Sequence, residues 1–170
     1  MIILAALAAV PAAACGGDAE TGATGLTLAD GWVRAEDGDM TAAFGTLVNE
    51  GDTDVTIVAG HSEAAGRVEL HEVVMTDGEM VMQPKDGGFV VPAGGEHVLE
   101  PGGDHVMLLD LAAPIEPGAD VTVVLDTADG DSLEFTAQAR EFDGAEEEYD
   151  PEGGHGTEPS EGMSAEMSER

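Results

Sequence analysis

Turn signals recur along this chain at intervals of roughly ten residues, and that spacing limits the possible folds more than any other feature. Asn49-Glu50-Gly51-Asp52, Asp77-Gly78, Asp86-Gly87-Gly88, Gly94-Gly95, Pro101-Gly102-Gly103, Pro117-Gly118 and Asp129-Gly130 separate runs rich in β-branched and aliphatic residues. Glycine supplies positive φ, proline presets the first turn torsion, and Asn and Asp tolerate left-handed backbone. No long segment carries a 3.6-residue apolar period. Strands are expected within 26–35 (around Asp30-Gly31), twice within 42–60, and at Arg67–Met75, Glu79–Gln83, Phe89–Val91, His97–Glu100, His105–Leu111, Asp120–Asp126 and Ser132–Ala139. The expected fold is an all-β sandwich or barrel of about eight to ten short strands.

At 170 residues the chain suits one domain with extensions. Residues 1–14, MIILAALAAVPAAA, are too few to span a bilayer as a helix and read as the apolar region of a secretory signal. Cys15 follows three alanines and precedes Gly16-Gly17-Asp18, which resembles a bacterial lipoprotein signal whose cysteine is lipidated. No Lys or Arg precedes the apolar run, and signal cleavage beside an incidental cysteine is the plainer alternative. Residues 15–25 have linker composition. The β-domain is expected over 26–142, exported and held at the outer side of the cell membrane by a lipid anchor. Residues 143–170, rich in Glu, Gly, Ser and Pro, bury too little apolar surface to offset ordering entropy and are expected to be a disordered acidic tail.

Charge and cysteine content exclude several functions. Asp and Glu number 36 against 5 Lys and Arg, a formal charge of -31. Nucleic-acid binding requires a basic footprint, so it is not expected here. A solvated acidic surface accounts for most of this charge. With Cys15 the only cysteine, an intrachain disulfide, a CxxC pair and a Cys-rich zinc site are ruled out.

The segment from Val68 to Leu111 holds four of the eight methionines (Met75, Met80, Met82, Met107) and three of the five histidines (His71, His97, His105). With Asp77-Gly78 as a two-residue type I′ turn, Thr76 pairs with Glu79, Met75 with Met80, Val74 with Val81 and Val73 with Met82. Alternation then places His71, Val73, Met75, Met80 and Met82 on one face, with Met82 diagonal to His71. His105 and Met107 share a face of their own strand. If that strand lies beside the hairpin, two imidazoles and two thioethers converge. Thioether sulfur is soft and uncharged, suiting Cu(I) and offering little to hard cations. Each methionine taken alone is more often a core filler. His97 and His61 read as surface and loop residues.

These residues resemble the periplasmic copper chaperones of the PCu(A)C type. That family's pattern is a histidine, ten residues, a methionine, about 21 residues, a histidine and a methionine two positions on. Here His71 is followed by ten residues and Met82, then by 22 residues, His105, one residue and Met107. The segments VELHEVVM and VPAGGEHVLEPGGDHVMLLDL are also similar to the family. Glu72 stands where an optional methionine would be, and the second spacing is one residue longer. The resemblance implies a cupredoxin-like β-barrel and Cu(I) held by His71, Met82, His105 and Met107; the hairpin pairing leaves Met75 and Met80 as candidates of second rank. It also implies delivery of copper to a cytochrome c oxidase subunit, for Cu(A) assembly, or to another copper carrier. A second copper could engage His155, Met163 and Met167 in the tail.

Two rivals remain at this level. His71-Glu72-Val73-Val74-Met75 is one residue short of HExxH, but that zinc motif needs a helix. Gly60-His61-Ser62-Glu63-Ala64 is one residue short of a nucleophile elbow. Neither has an evident partner, so an enzyme is not expected. The other rival is an acidic surface lipoprotein whose β-sandwich makes protein contacts. Storage or tolerance of copper is a variant of the main reading.

Overall fold

The computed structural model describes residues 25–76, 78–144 and 148–149. Its elements are β1 (Leu26–Arg34), β2 (Met40–Asn49), β3 (Val55–His61), β4 (Ala65–Thr76), β5 (Glu79–Pro84), β6 (Phe89–Val91), β7 (Glu96–Leu99), β8 (His105–Leu111), β9 (Asp120–Thr127), β10 (Ser132–Arg140) and β11 (Glu148–Tyr149). Strands β4-β8-β2-β1-β10-β9-β3 form a ring, closed by Gly60 of β3 opposite Val68 of β4. β1 and β10 run parallel, and the other neighbours in the ring are antiparallel. The all-β barrel expected from the turn spacing is the observed architecture.

Alternation builds the barrel core. β10 shows the pattern in full: Leu133, Phe135, Ala137 and Ala139 are buried, and the residues between them are exposed. They pack with Val121, Val123 and Leu125 of β9, Ile57 of β3, Leu47 of β2 and Phe89 of β6. β8 departs from this pattern, because His105, Val106, Met107, Leu108 and Leu109 are all buried. Val106 and Leu108 belong to the core cluster; His105, Met107 and Leu109 alternate to the other face, where they too are buried.

Three expectations need adjustment. Asp30-Gly31 does not divide the first strand. β1 runs through it with a bulge between Ala29 and Trp32, and Asp30 takes φ 52°. The bulge re-aims Trp32 so that it pairs with Phe44. Gly45 allows the close approach this requires: a Cβ there would lie 3.0 Å from Ala29 O and Gly31 Cα. β7 begins and ends one residue earlier than expected, at Glu96 and Leu99. Glu148 and Tyr149 form β11, parallel to β5 at Val81 and Met82. These two residues gain backbone partners at the open edge of β5. Finally, His97 is half-buried rather than a surface residue: it stacks on Phe89 at 5.1 Å and its Nε2 lies 2.9 Å from Asp104. Residues 1–14, Cys15, the linker to residue 24, and His155, Met163 and Met167 lie outside the described residues.

Candidate metal centre

Three strands build the site. β5 pairs with β4 in the register expected from the Asp77-Gly78 turn: Thr76 opposite Glu79, Met75 opposite Met80, Val73 opposite Met82. Gly78 has φ 93°, as such a turn demands; Asp77 is outside the described residues. The other edge of β4 pairs with β8, and there His71 stands directly opposite His105, and Glu69 opposite Met107. Residues directly opposite share a face, so the two imidazoles meet. Their ring centroids are 5.6 Å apart at 64°, edge to face.

Burial is deep on this face. His71 is 0%, Met107 4% and His105 5% exposed. Met82 is half-buried. Met82, His105 and Met107 line one cavity of about 140 Å³, together with Met40 and Phe44 of β2 and Arg34 of β1. His71 does not line it, but packs behind His105. Met75 and Met80 share the face of Met82 but lie at the hairpin end, 70% and 45% exposed. His61 ends β3, exposed, with Nδ1 3.4 Å from Asp126.

A hydrogen bond orients each imidazole. His105 Nδ1 lies 3.0 Å from the Gly103 carbonyl oxygen. A carbonyl only accepts, so Nδ1 carries the proton and Nε2 the lone pair in the neutral ring. His71 Nε2 donates to Glu69 Oε2 at 2.9 Å, which leaves the lone pair on the fully buried Nδ1. Glu69 is itself held by Arg67 at 2.6 Å, and Arg67 reaches Asp110 at 3.0 Å. Burial pushes the His71 pKa below its ordinary 6.5, and the Glu69 carboxylate partly opposes this. The ring is therefore neutral at neutral pH, the form that coordinates a metal. Hydrogen bonds of this kind fix the tautomer and angle of metal-binding histidines elsewhere.

Glu72 faces away from the site. Its Oε2 accepts from Lys85 Nζ at 2.7 Å, and Lys85 also reaches Asp104 at 3.3 Å. The Lys85 bond lowers the Glu72 pKa against the opposing effect of partial burial. The optional methionine position of the resembled pattern is thus filled here by a structural ion pair. HExxH geometry is absent, since His71–Met75 runs as extended strand within β4.

Several site residues escaped sequence reasoning. Met40 opens β2 opposite Leu109, and Ala42 is opposite Met107, so the alternating Met40-Ala42-Phe44 face meets that of His105-Met107. That alternation was readable, but the partner strand was not. Phe44 lies 6.1 Å from His105, Trp32 4.6 Å from Phe44, and Phe142 5.4 Å from Trp32. Glu69 had a local signal: in a strand, residue 69 shares the face of residue 71.

Comparisons with known proteins bear on this arrangement. The family model described as "LpqE-like: Putative lipoprotein LpqE-like" matches residues 26–139. "Putative lipoprotein Lxx21020" of Leifsonia xyli subsp. xyli (strain CTCB07) is 39% identical over 127 residues, covering 75% of this chain and 76% of that protein. Among solved structures, the apo PCuAC domain from PmoF1 superposes with a TM-score of 0.57 at 21% identity, covering 74% of this chain and 98% of that one. Apo-DR1885 from Deinococcus radiodurans gives 0.54 at 27% identity, covering 84% and 97%. Its CuI form gives 0.50 at 26%, covering 69% and 80%. The PCuAC resemblance is thus supported by structure, whereas the matching family model carries a different description. The chain, a cupredoxin-like β-barrel, belongs to the LpqE-like lipoprotein family.

Proposed function

We propose that this protein is an extracytoplasmic copper chaperone that takes up Cu(I) through His71, His105, Met82 and Met107 and hands it to a copper-accepting partner. The observation that carries this reading is the register of β4 against β8. It sets His71 edge to face with His105, beside a cavity lined by Met82 and Met107. Two neutral imidazoles and two thioethers make a soft donor set, which fits Cu(I) and disfavours Mg²⁺ or Ca²⁺. The donor set contains no thiolate, which suits an oxidising compartment. Similarity to a copper-loaded DR1885 supports the same cargo.

Membership of a lipoprotein family supports attachment through a lipidated Cys15 at the outer side of the membrane. If Cys15→Ala left the protein as membrane-associated as the parent, that anchor would be discarded. A cytochrome c oxidase subunit receiving copper for its Cu(A) centre is the proposed recipient.

The central test is a Cu(I) titration of the full chain against a competing chelator, repeated with Met82→Leu and His105→Ala. Tight binding of one equivalent is expected in the parent. Each variant should lose at least the roughly 10–100-fold that follows loss of an outer-shell partner. Absence of tight binding in the parent, or unchanged affinity in both variants, would remove the copper reading. Met82→Leu nearly conserves volume at a half-buried position, so it separates lost ligation from lost folding. Transfer to the apo-oxidase subunit then separates delivery from storage: a storage protein would retain its copper.

A further inference from the structure

The methionines of the β4–β5 hairpin form a graded series. Met75 and Met80 are directly opposite one another, and Met82 is two residues on from Met80, so all three side chains share a face. Opposite residues have Cβ atoms about 4.5–5.5 Å apart, and a diagonal neighbour is within reach of a long side chain. The pairing of β4 with β3 is at Val68 and with β8 stops at His71. Beyond His71, β4 pairs with β5 alone, so this end of the hairpin projects from the barrel. Exposure falls along the series from 70% at Met75 through 45% at Met80 to half-buried Met82, which lines the cavity shared by His105 and Met107.

We propose that Met75, Met80 and Met82 form an outer thioether station that captures a soft monovalent cation and passes it inward, with Met82 belonging to both stations. This rests on the copper reading of the buried site. His105 and Met107 are buried, whereas the thioethers of Met75 and Met80 are exposed and can meet a donor protein directly. Three thioethers suit Cu(I) or Ag(I) and discriminate against hard cations. Transfer is ligand exchange only: Met75 and Met80 sulfurs leave as imidazole nitrogens and the Met107 sulfur bind, and copper stays Cu(I). Thioethers do not titrate, so capture proceeds at any pH that preserves the fold.

The test uses the full chain, its Met75→Leu/Met80→Leu double variant and the Met82→Leu variant. Leucine replaces methionine with nearly conserved volume, and both Met75 and Met80 are exposed, so folding should be retained. Stopped-flow Cu(I) loading should slow about tenfold in the double variant, while its equilibrium affinity stays at the parent's value. Met82→Leu should lower both rate and affinity. In parallel, Ag(I) titration of methyl-labelled methionine should shift the Met75 and Met80 resonances in the parent. A double variant that loads at the parental rate, or Met75 and Met80 methyls unmoved by Ag(I), overturns the outer station while the inner site stands. A parent that binds no Cu(I) tightly removes the copper reading itself, and the station with it.

Discussion

Glu69 links the interior to the surface: it takes Arg67 on one oxygen and His71 on the other. Its Glu69→Ala variant should weaken Cu(I) binding by about 10–100-fold without removing a ligand, as lost outer-shell bonds do. Competition titration checks this, and parental affinity would show that burial alone orients His71. The depressed His71 pKa has a further consequence for the copper-free protein. Below 6.5 the unfolded chain binds a proton that the folded one resists, so stability is full above 6.5 and declines as pH falls through the lower folded value. Urea midpoints at pH 7 and pH 5 should therefore converge in His71→Asn relative to the parent. An equal gap in both would assign the acid loss to other groups. The Glu72–Lys85 pair acts in the opposite sense to a defect in the pattern. Glu72 is lowered mainly by Lys85, and Lys85 is raised mainly by Glu72, so their contribution spans the range between the two shifted values. Glu72→Gln should cost no more than about 1 kcal/mol in that range, because both groups are partly exposed.

Among elements, the hairpin and the bulged strand behave differently under sequence reasoning. The β4–β5 register was legible because a two-residue Asp-Gly turn sets it locally, and every predicted pair from Val73–Met82 to Thr76–Glu79 is present. The bulge in β1 was legible only as a turn signal, since the same Asp-Gly dipeptide can end a strand or bend it. Its role emerges from Gly45 on the neighbouring strand, which has φ 147° and where a Cβ would lie 3.0 Å from Ala29 O, Gly31 Cα and Leu28 Cδ1. Gly45→Ala should destabilise the fold by about 1–3 kcal/mol, the usual cost of overpacking. Chemical denaturation would test it, and a neutral result would mean that Leu28 and the β1 backbone yield freely. After β10, Phe142 packs on Trp32, and Arg34 donates to Gly144 O at 3.1 Å. This segment therefore runs beside the aromatic row that leads to His105. Phe142→Ala should cost about 0.5–1.5 kcal/mol beyond its buried area, the worth of an aromatic pair.

At the scale of the whole molecule, residues 25–144 carry 25 of the 36 acidic side chains against four Lys and Arg, an excess of negative charge that strains a compact barrel. Self-repulsion between carboxylates opposes folding and is screened as the Debye length falls from about 30 Å at 0.01 M to 8 Å at 0.15 M salt. The melting temperature should therefore rise over that interval; a flat or falling trend would show that repulsion is already relieved. The sequence alone determined the fold class, the hairpin, the shared face of His71 and Met82, and that of His105 and Met107. Those are local properties, set by turn torsions and by side-chain alternation along one strand. Only the tertiary structure decided that His71 faces His105, that Met40 and Phe44 complete the cavity, that Glu72 turns to Lys85, and that Met75 and Met80 stay in solvent. The reason is physical. β4 and β8 are distant in sequence, so no turn sets their register. It follows from seating Leu70, Val106 and Leu108 in the barrel core, which carries His71, His105 and Met107 to the opposite face together.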